Sequence, residues 1–212
     1  MDTETIETSA GTARVTWHPA EDPRTVLALG HGAGGGIEAR DLAALAGALP
    51  HAGVTVALVE QPWRVAGKKV APAPKTLDAG WREVWPALLA AGVPVVAGGR
   101  SAGARVACRT AGELGAEAVV ALSFPLHPPG KPAKSRADEL LGAGVPVLVV
   151  QGERDPFGRP EEFPRLPEGW ELVGVPGGDH GFAVPKRAGT TQEEALAVLT
   201  DAVAGWAERL GS

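Results

Sequence analysis

Three residues of this chain stand in an order and in settings that suit nucleophilic chemistry: a serine between glycines, an aspartate on a tight turn, and a histidine on a Gly-rich loop. The serine is Ser101, in Gly99-Arg100-Ser101-Ala102-Gly103, with an apolar run before it and a helical pattern after it. That is the G-x-S-x-G pattern in the context it requires, a strand-to-helix turn too sharp for large flanking side chains. Such a turn lifts the hydroxyl to a helix N-terminus, where backbone N–H groups favour developing negative charge. The pentapeptide alone also describes a Gly-rich turn with an incidental serine, so its partners decide. A serine hydroxyl is a weak nucleophile and needs a base within hydrogen-bond reach, itself held by a third group. His180, in Pro176-Gly-Gly-Asp-His-Gly-Phe182, is the candidate base, and Asp155, in Gly152-Glu-Arg-Asp-Pro-Phe-Gly158, is the candidate orienting acid. Serine, acid, histidine is the chain order a nucleophile elbow requires.

A fourth element is His31-Gly-Ala-Gly-Gly-Gly36, whose glycines let the backbone close over a site and present N–H groups to an oxyanion. The expected hole is the backbone N–H of Ala102 and of Ala33, with Gly34 as the alternative donor; one such donor is typically worth about 3–4 kcal/mol of barrier. A phosphate-binding loop is the competing reading, but the segment lacks the Lys-Ser/Thr pair and the full dinucleotide spacing. Asp179 adjoins His180 as a rival acid; successive loop side chains diverge, which favours Asp155. His31 is expected to brace its own loop. His127, among prolines, is weighed evenly as a substrate-lining residue or a structural one. Cys108 reads as a buried small hydrophobe.

The elements that must position these residues follow from short apolar runs alternating with helical patterns. Residues 13–17 alternate as an edge strand, and runs at 25–29, 54–59, 94–97, 118–122, 145–150 and 170–175 read as strands buried on both faces. Helical patterns occupy 42–49, 77–89, the segment after Ser101, 135–141 and 191–210. This alternation specifies an α/β fold: a mostly parallel sheet of about seven strands with helices on both faces, in one domain over 1–212, with 1–11 as a flexible tail. Segment 61–75 is long for a loop, which favours a functional role. Only about twenty residues separate the strand ending at 122 from the next, too few for a cap domain.

Composition narrows the function classes. With 44% apolar and 21% charged residues the chain can bury a sizeable core. A net charge of −5 recommends neither a nucleic acid nor an anionic membrane as partner. The first eleven residues lack the basic and apolar regions of a secretory signal, and no stretch is apolar enough to span a bilayer, so a cytoplasmic location is expected. A single cysteine excludes an internal disulfide and a cysteine-rich zinc site. The charge is unevenly placed: loops 60–75, 99–101, 124–136, 152–160 and 176–189 hold 12 of the 20 Lys and Arg but 4 of the 25 Asp and Glu. That basic face suggests an anionic substrate or an acidic partner, with Arg64, Lys68, Lys69, Arg100 and Lys131 as first contacts, against the plainer reading of a solvated rim.

The segments HGAGGG, GGRSAGAR, QGERDPFG and GGDHGF resemble the α/β-hydrolase superfamily over nearly the whole chain. Gln61-Pro-Trp-Arg-Val-Ala-Gly67 and Ser123-Phe-Pro-Leu-His-Pro-Pro-Gly-Lys-Pro132 are similar to a small lidless branch related to testis-expressed protein thirty and the hydrolase-like domain of an NSL-complex subunit. The resemblance implies the α/β-hydrolase fold and the positions Ser101, Asp155 and His180. The chain departs from that branch at Ala102 and Ala104, where Met and Gly are usual, and from dienelactone hydrolases in carrying Ser rather than Cys as nucleophile. The expected activity is a serine hydrolase, a carboxylesterase or thioesterase acting on a small or surface-exposed acyl substrate, with no metal and no organic cofactor. The rival is a non-catalytic binding module that uses the basic face. Tryptophan-bearing helices offer a surface for a homodimer.

Overall fold

A computed structural model describes residues 2–210. Its frame is one eight-stranded sheet in the order β1-β2-β4-β3-β5-β6-β7-β8. The strands are β1 (Asp2–Thr8), β2 (Gly11–His18), β3 (Thr25–Gly30), β4 (Val54–Glu60), β5 (Val95–Arg100), β6 (Val119–Leu122), β7 (Val147–Gly152) and β8 (Glu171–Val175). From β4 to β8 all neighbours run parallel, and only the hairpin β1–β2 and its junction to β4 are antiparallel.

The central strands are buried on both faces, and their alternation divides the core. Val26 and Ala28 of β3 enter one cluster, with Trp81, Val84, Trp85 and Leu88 of α3 (Pro74–Leu89) and Val106, Ala107 and Ala111 of α4 (Ala102–Leu114). Leu27 and Leu29 enter the other, with Leu42 and Leu45 of α1 (Arg40–Ala48) and Leu199, Val203 and Trp206 of α6 (Gln192–Leu210). Each Val or Leu among them, taken from water, contributes roughly 1.5–3 kcal/mol before chain entropy is counted. Two short α-helices complete the set: α2 (Pro62–Val65), so that Gln61 and 66–73 of the long 61–75 segment are irregular, and α5 (Ala137–Leu141).

The N-terminus corrects the expectation of a flexible tail. Residues 2–8 form β1, paired with β2 over Asp2↔Trp17 to Thr8↔Gly11, while Met1 lies outside the described residues. A two-residue turn at 9–10 closes the hairpin, and the Ser9 N–H donates to Glu83 on α3 at 2.7 Å. The sheet therefore has eight strands, and the segment 13–17 is its second, not its edge. On β1 only Ile6 packs on the core, and the exposed Thr and Glu residues suit an edge that must not pair with another chain.

The parallel order reverses between β3 and β5, from which the chain runs outward in both directions. Ligands in open α/β sheets bind outside the carboxyl ends of strands at such a switch point. Ser101 follows β5 there, and the 31–36 segment follows β3.

Candidate active site

The turn between β5 and α4 is built by backbone contact. A Cβ at Gly99 or at Gly103 would lie 2.5 Å from the Gly30 carbonyl oxygen, so β3, β5 and the start of α4 approach as closely as they do only because these positions are glycine. Ser101 is left at φ 52°, ψ −110°, a conformation that costs a non-glycine residue about 1–3 kcal/mol and is held by its surroundings. The Ser101 N–H donates to Leu122 O at 2.9 Å, and its carbonyl accepts from Arg105 N–H at 3.2 Å.

From Ser101 a hydrogen-bonded chain runs inward. Ser101 Oγ lies 2.9 Å from His180 Nε2, and His180 Nδ1 lies 2.8 Å from Asp155 Oδ2. Asp155 is fully buried. Its Oδ2 also accepts from Gln151 Nε2 at 2.8 Å, and its Oδ1 accepts from the Phe157 N–H at 2.8 Å. Asp155 takes the His180 Nδ1–H as one of its three hydrogen bonds, which leaves the Nε2 lone pair of the imidazole toward the serine. Phe157 covers the ring, with centroids 4.2 Å apart. Gln151 also donates to Gly158 O at 2.7 Å, which ties both ends of the acid turn to the end of β7.

The loop carrying His180 is pinned rather than flexible. Asp179, the rival acid, accepts from the N–H groups of Gly181 and Ala183 at 2.8 and 2.9 Å and so caps its own turn. Phe182, fully buried at φ 54°, anchors the turn in the core. Gln192 of α6 donates to Phe182 O at 2.8 Å and accepts from Val184 N–H at 3.1 Å. A Thr191/Glu194 capping box fixes the start of that helix.

The 31–36 segment is set by His31. Its Nδ1 bonds to Gly32 O at 2.9 Å, and its Nε2 accepts from Gln61 N–H at 3.1 Å, an arrangement open only to the neutral ring. Burial pushes the His31 pKa down, outweighing the raising effect of the Gly32 carbonyl. Among the described residues the N–H groups of Ala33, Gly34 and Ala102 have no acceptor, and Ala102 N–H is the first of α4. Backbone donors left free beside a serine are what an oxyanion would need.

Two residues expected to touch substrate are engaged elsewhere. Arg100 Nε donates to Asp41 Oδ2 at 3.0 Å and its Nη2 to His180 O at 2.7 Å, with the side chain 12% exposed. His127 is buried, with Nδ1 against Pro128 O at 3.0 Å and Nε2 against Glu162 at 3.2 Å, so it joins two loops. Arg64 is half-buried and paired with Glu38 at 3.3 Å. Of the basic face, Lys68, Lys69, Lys131, Lys134, Arg154, Lys186 and Arg187 are exposed and in no ion pair among the described residues. Gln151, Phe157 and Asp41 are the site residues that sequence reading passed over.

Two cavities share a wall formed by Gln61 and Trp63. A cleft of about 10 Å³ is lined by His31, Gln61, Trp63, Trp81, Ala102 and Val106. A larger one, about 480 Å³, lies against Gly11, Thr12, Trp63 and Val70, with Trp63 and Gln61 common to both. No helix among the described residues is long and apolar enough to cross a membrane.

Comparison with known proteins agrees with this architecture. A family model described as an alpha/beta hydrolase domain matches residues 23–208. No curated protein matches the chain. A lidless α/β serine hydrolase from Xanthomonas campestris superposes with a TM-score of 0.72 at 20% identity, covering 97% of this chain and 94% of that one. An alpha-beta serine hydrolase homologue from Coxiella burnetii gives 0.75 at 16% identity, covering 94% and 96%. A dienelactone hydrolase from Anabaena variabilis gives 0.73 at 17% identity, covering 98% and 96%.

Proposed function

The chain belongs to the alpha/beta hydrolase family, and on that premise we propose that it is a serine hydrolase acting on a small carboxylic ester or thioester. The observation that carries the reading is the unbroken chain from Ser101 Oγ through His180 to Asp155, at 2.9 and 2.8 Å. Ser101 Oγ attacks the acyl carbonyl as His180 Nε2 takes its proton, and Asp155 stabilises the imidazolium that results. The tetrahedral oxyanion is received by the N–H of Ala102 and by that of Ala33 or Gly34. His180 then gives its proton to the leaving alcohol or thiol, and water, deprotonated by the same ring, releases the acid from Ser101.

A small acyl group suits this reading, since the cleft lined by His31 and Ala102 has room for about one methyl- or water-sized group. Anionic esters are favoured by the exposed Lys68, Lys69, Lys131 and Lys134, whose charges have no internal partner among the described residues. Arg64 lies near Gly36 at the end of the 31–36 segment, with its charge shared with Glu38.

The deciding experiment is treatment with a fluorophosphonate probe and location of the adduct by mass spectrometry. Labelling at Ser101 that vanishes in His180→Ala supports the reading. Folded protein that takes up no probe refutes it and leaves the rival, a binding module.

A further inference from the structure

We propose that Arg100 and Asp41 form a clamp that sets the position of His180 against Ser101, which makes Arg100 a positioning residue of the site rather than a substrate contact. The inference rests on the reading of Ser101 and His180 given above.

Arg100 is the residue before the nucleophile and the last of β5, so its backbone moves with Ser101. Its guanidinium reaches three other parts of the site. Nη2 donates to the main-chain oxygen of His180 at 2.7 Å. Nε is held by Asp41 Oδ2 at 3.0 Å, in the first turn of α1. Nη1 lies against the oxyanion segment, where a Cβ at Gly32 would come within 2.9 Å of it. A single planar side chain therefore ties the elbow, the base loop and α1 together and lies against Gly32. Residues 79 apart in sequence, Ser101 and His180, are fixed to one another through it.

The pair is a poor device for stability. Its side chains are only 12% and 1% exposed, and Asp41 Oδ1 is buried without a partner among the described residues. Buried ion pairs commonly lose as much in desolvation as they gain in attraction, and apolar residues of similar volume serve stability as well or better. Burial raises the Asp41 pKa even against the pull of Arg100. What an apolar pair could not do is direct a hydrogen bond at the His180 carbonyl. With the Asp179 carboxylate accepting from the N–H groups of Gly181 and Ala183, that bond fixes the main chain on the carboxyl side of His180, and the ring position follows. Arginine suits the task because its donors are fixed in one plane, whereas lysine offers a single mobile ammonium.

The test compares wild type, Arg100→Met and Arg100→Lys by fluorophosphonate labelling rate, melting temperature, and the low-field proton resonance of the His180 Nδ1–H···Asp155 bond. Arg100→Met is expected to melt within a few degrees of wild type, to label about 100-fold more slowly, and to lose or broaden that resonance. With a turned-over ester, kcat falls while KM holds. Labelling at the wild-type rate overturns the clamp, as does a rise in KM with kcat unchanged, which would make Arg100 a substrate contact. If Arg100→Met does not fold, Arg100→Lys, which keeps the counter-charge to Asp41, decides: labelling at least about 10-fold slower supports the clamp, and wild-type labelling overturns it. The resonance separates the two readings. A wild type that takes up no probe defeats the hydrolase reading alone, while the clamp is still judged by whether the resonance survives in Arg100→Met.

Discussion

Gly152 carries no chemistry, yet replacing it with alanine should disable the site. It ends β7, where the base loop crosses over it: a Cβ there would lie 2.5 Å from Gly178 O and 2.6 Å from Asp179 O. Real Cβ atoms essentially never come within 3.0 Å of a backbone oxygen, so the contact must open by about half an ångström at least, and by nearly one for ordinary packing. β7 is buried throughout and paired on both sides, by β6 and β8, so the loop is the part that yields. Residues 178 and 179 lead directly into His180. If that displacement carries through to the ring, the 2.9 Å bond from Nε2 to Ser101 Oγ lengthens past hydrogen-bonding range. A misplacement of about 1 Å in a reacting pair costs on the order of 100-fold in rate. The expected result for Gly152→Ala is a fluorophosphonate labelling rate about 100-fold below wild type, with a lowered but measurable melting temperature. Gly47→Ala is the control, since a Cβ there meets nothing within 4 Å inside α1. Gly152→Ala that labels like wild type would refute the argument that backbone contact between β7 and the base loop sets the geometry.

Other consequences can be measured alongside. Because burial lowers the His31 pKa, the folded protein binds fewer protons than the unfolded chain between that value and 6.5, so its stability is whole above 6.5 and declines as pH falls below it, by up to about 1.4 kcal/mol per unit. Urea unfolding at pH 7 and pH 5 should show this decline in wild type and a shallower one in His31→Gln, an equal slope in both removing His31 as its source. Trp63→Ala opens the wall shared by the 10 Å³ cleft and the 480 Å³ cavity, and should raise kcat/KM for butyryl over acetyl p-nitrophenyl esters by about 10-fold; an unchanged ratio would place the acyl group elsewhere. Raising ionic strength from about 0.01 M to 0.15 M shortens the screening length from roughly 30 to 8 Å, and should lower kcat/KM for an anionic ester while sparing a neutral one. The loss should shrink in the Lys68→Ala/Lys69→Ala double variant.

How much of this was legible in the sequence depends on whether a residue's partners lie in its own motif. Ser101, Asp155 and His180 could be read because the chemistry demands those residue types and the fold demands their order, and the structure brings them within bonding distance of one another. The central strands were legible because burial on both faces leaves unbroken apolar runs such as 145–150. β1 was missed for the opposite reason: it is polar on both faces, with Ile6 alone packed on the core, and so carries no alternation to read. The partners of Arg100, read as a substrate contact from the charge count, and of His127, weighed evenly between a substrate-lining and a structural role, could not be read, because a sequence shows a side chain and not what it meets. Asp41 stands 59 residues from Arg100, and Glu162 stands 35 from His127. Gln151 gave the one missed signal within reach, a polar residue at the end of a fully buried strand and four residues before the acid it supports.

The glycines make the same distinction at the level of backbone. Gly30, Gly99 and Gly103 belong to two different motifs in the sequence, yet they meet at one point, where the Gly30 carbonyl faces both of the others. Gly152 and Gly178 likewise belong to the acid turn and the base loop and meet at a second. Each contact locks together two strand ends that carry different parts of the proposed site: the 31–36 segment to Ser101 in the first, Asp155 to His180 in the second. Gly34 and Gly35, by contrast, have open space where a Cβ would stand. Glycine there leaves the segment above Ser101 unobstructed, whereas at the two crossings it permits close approach. Arg100 joins the two locked pairs directly, reaching from the elbow to the base loop, and so adds a side-chain tie to the β5–β6–β7 ladder and to the hydrogen bonds among Ser101, His180 and Asp155 that hold the two halves of the proposed site in register.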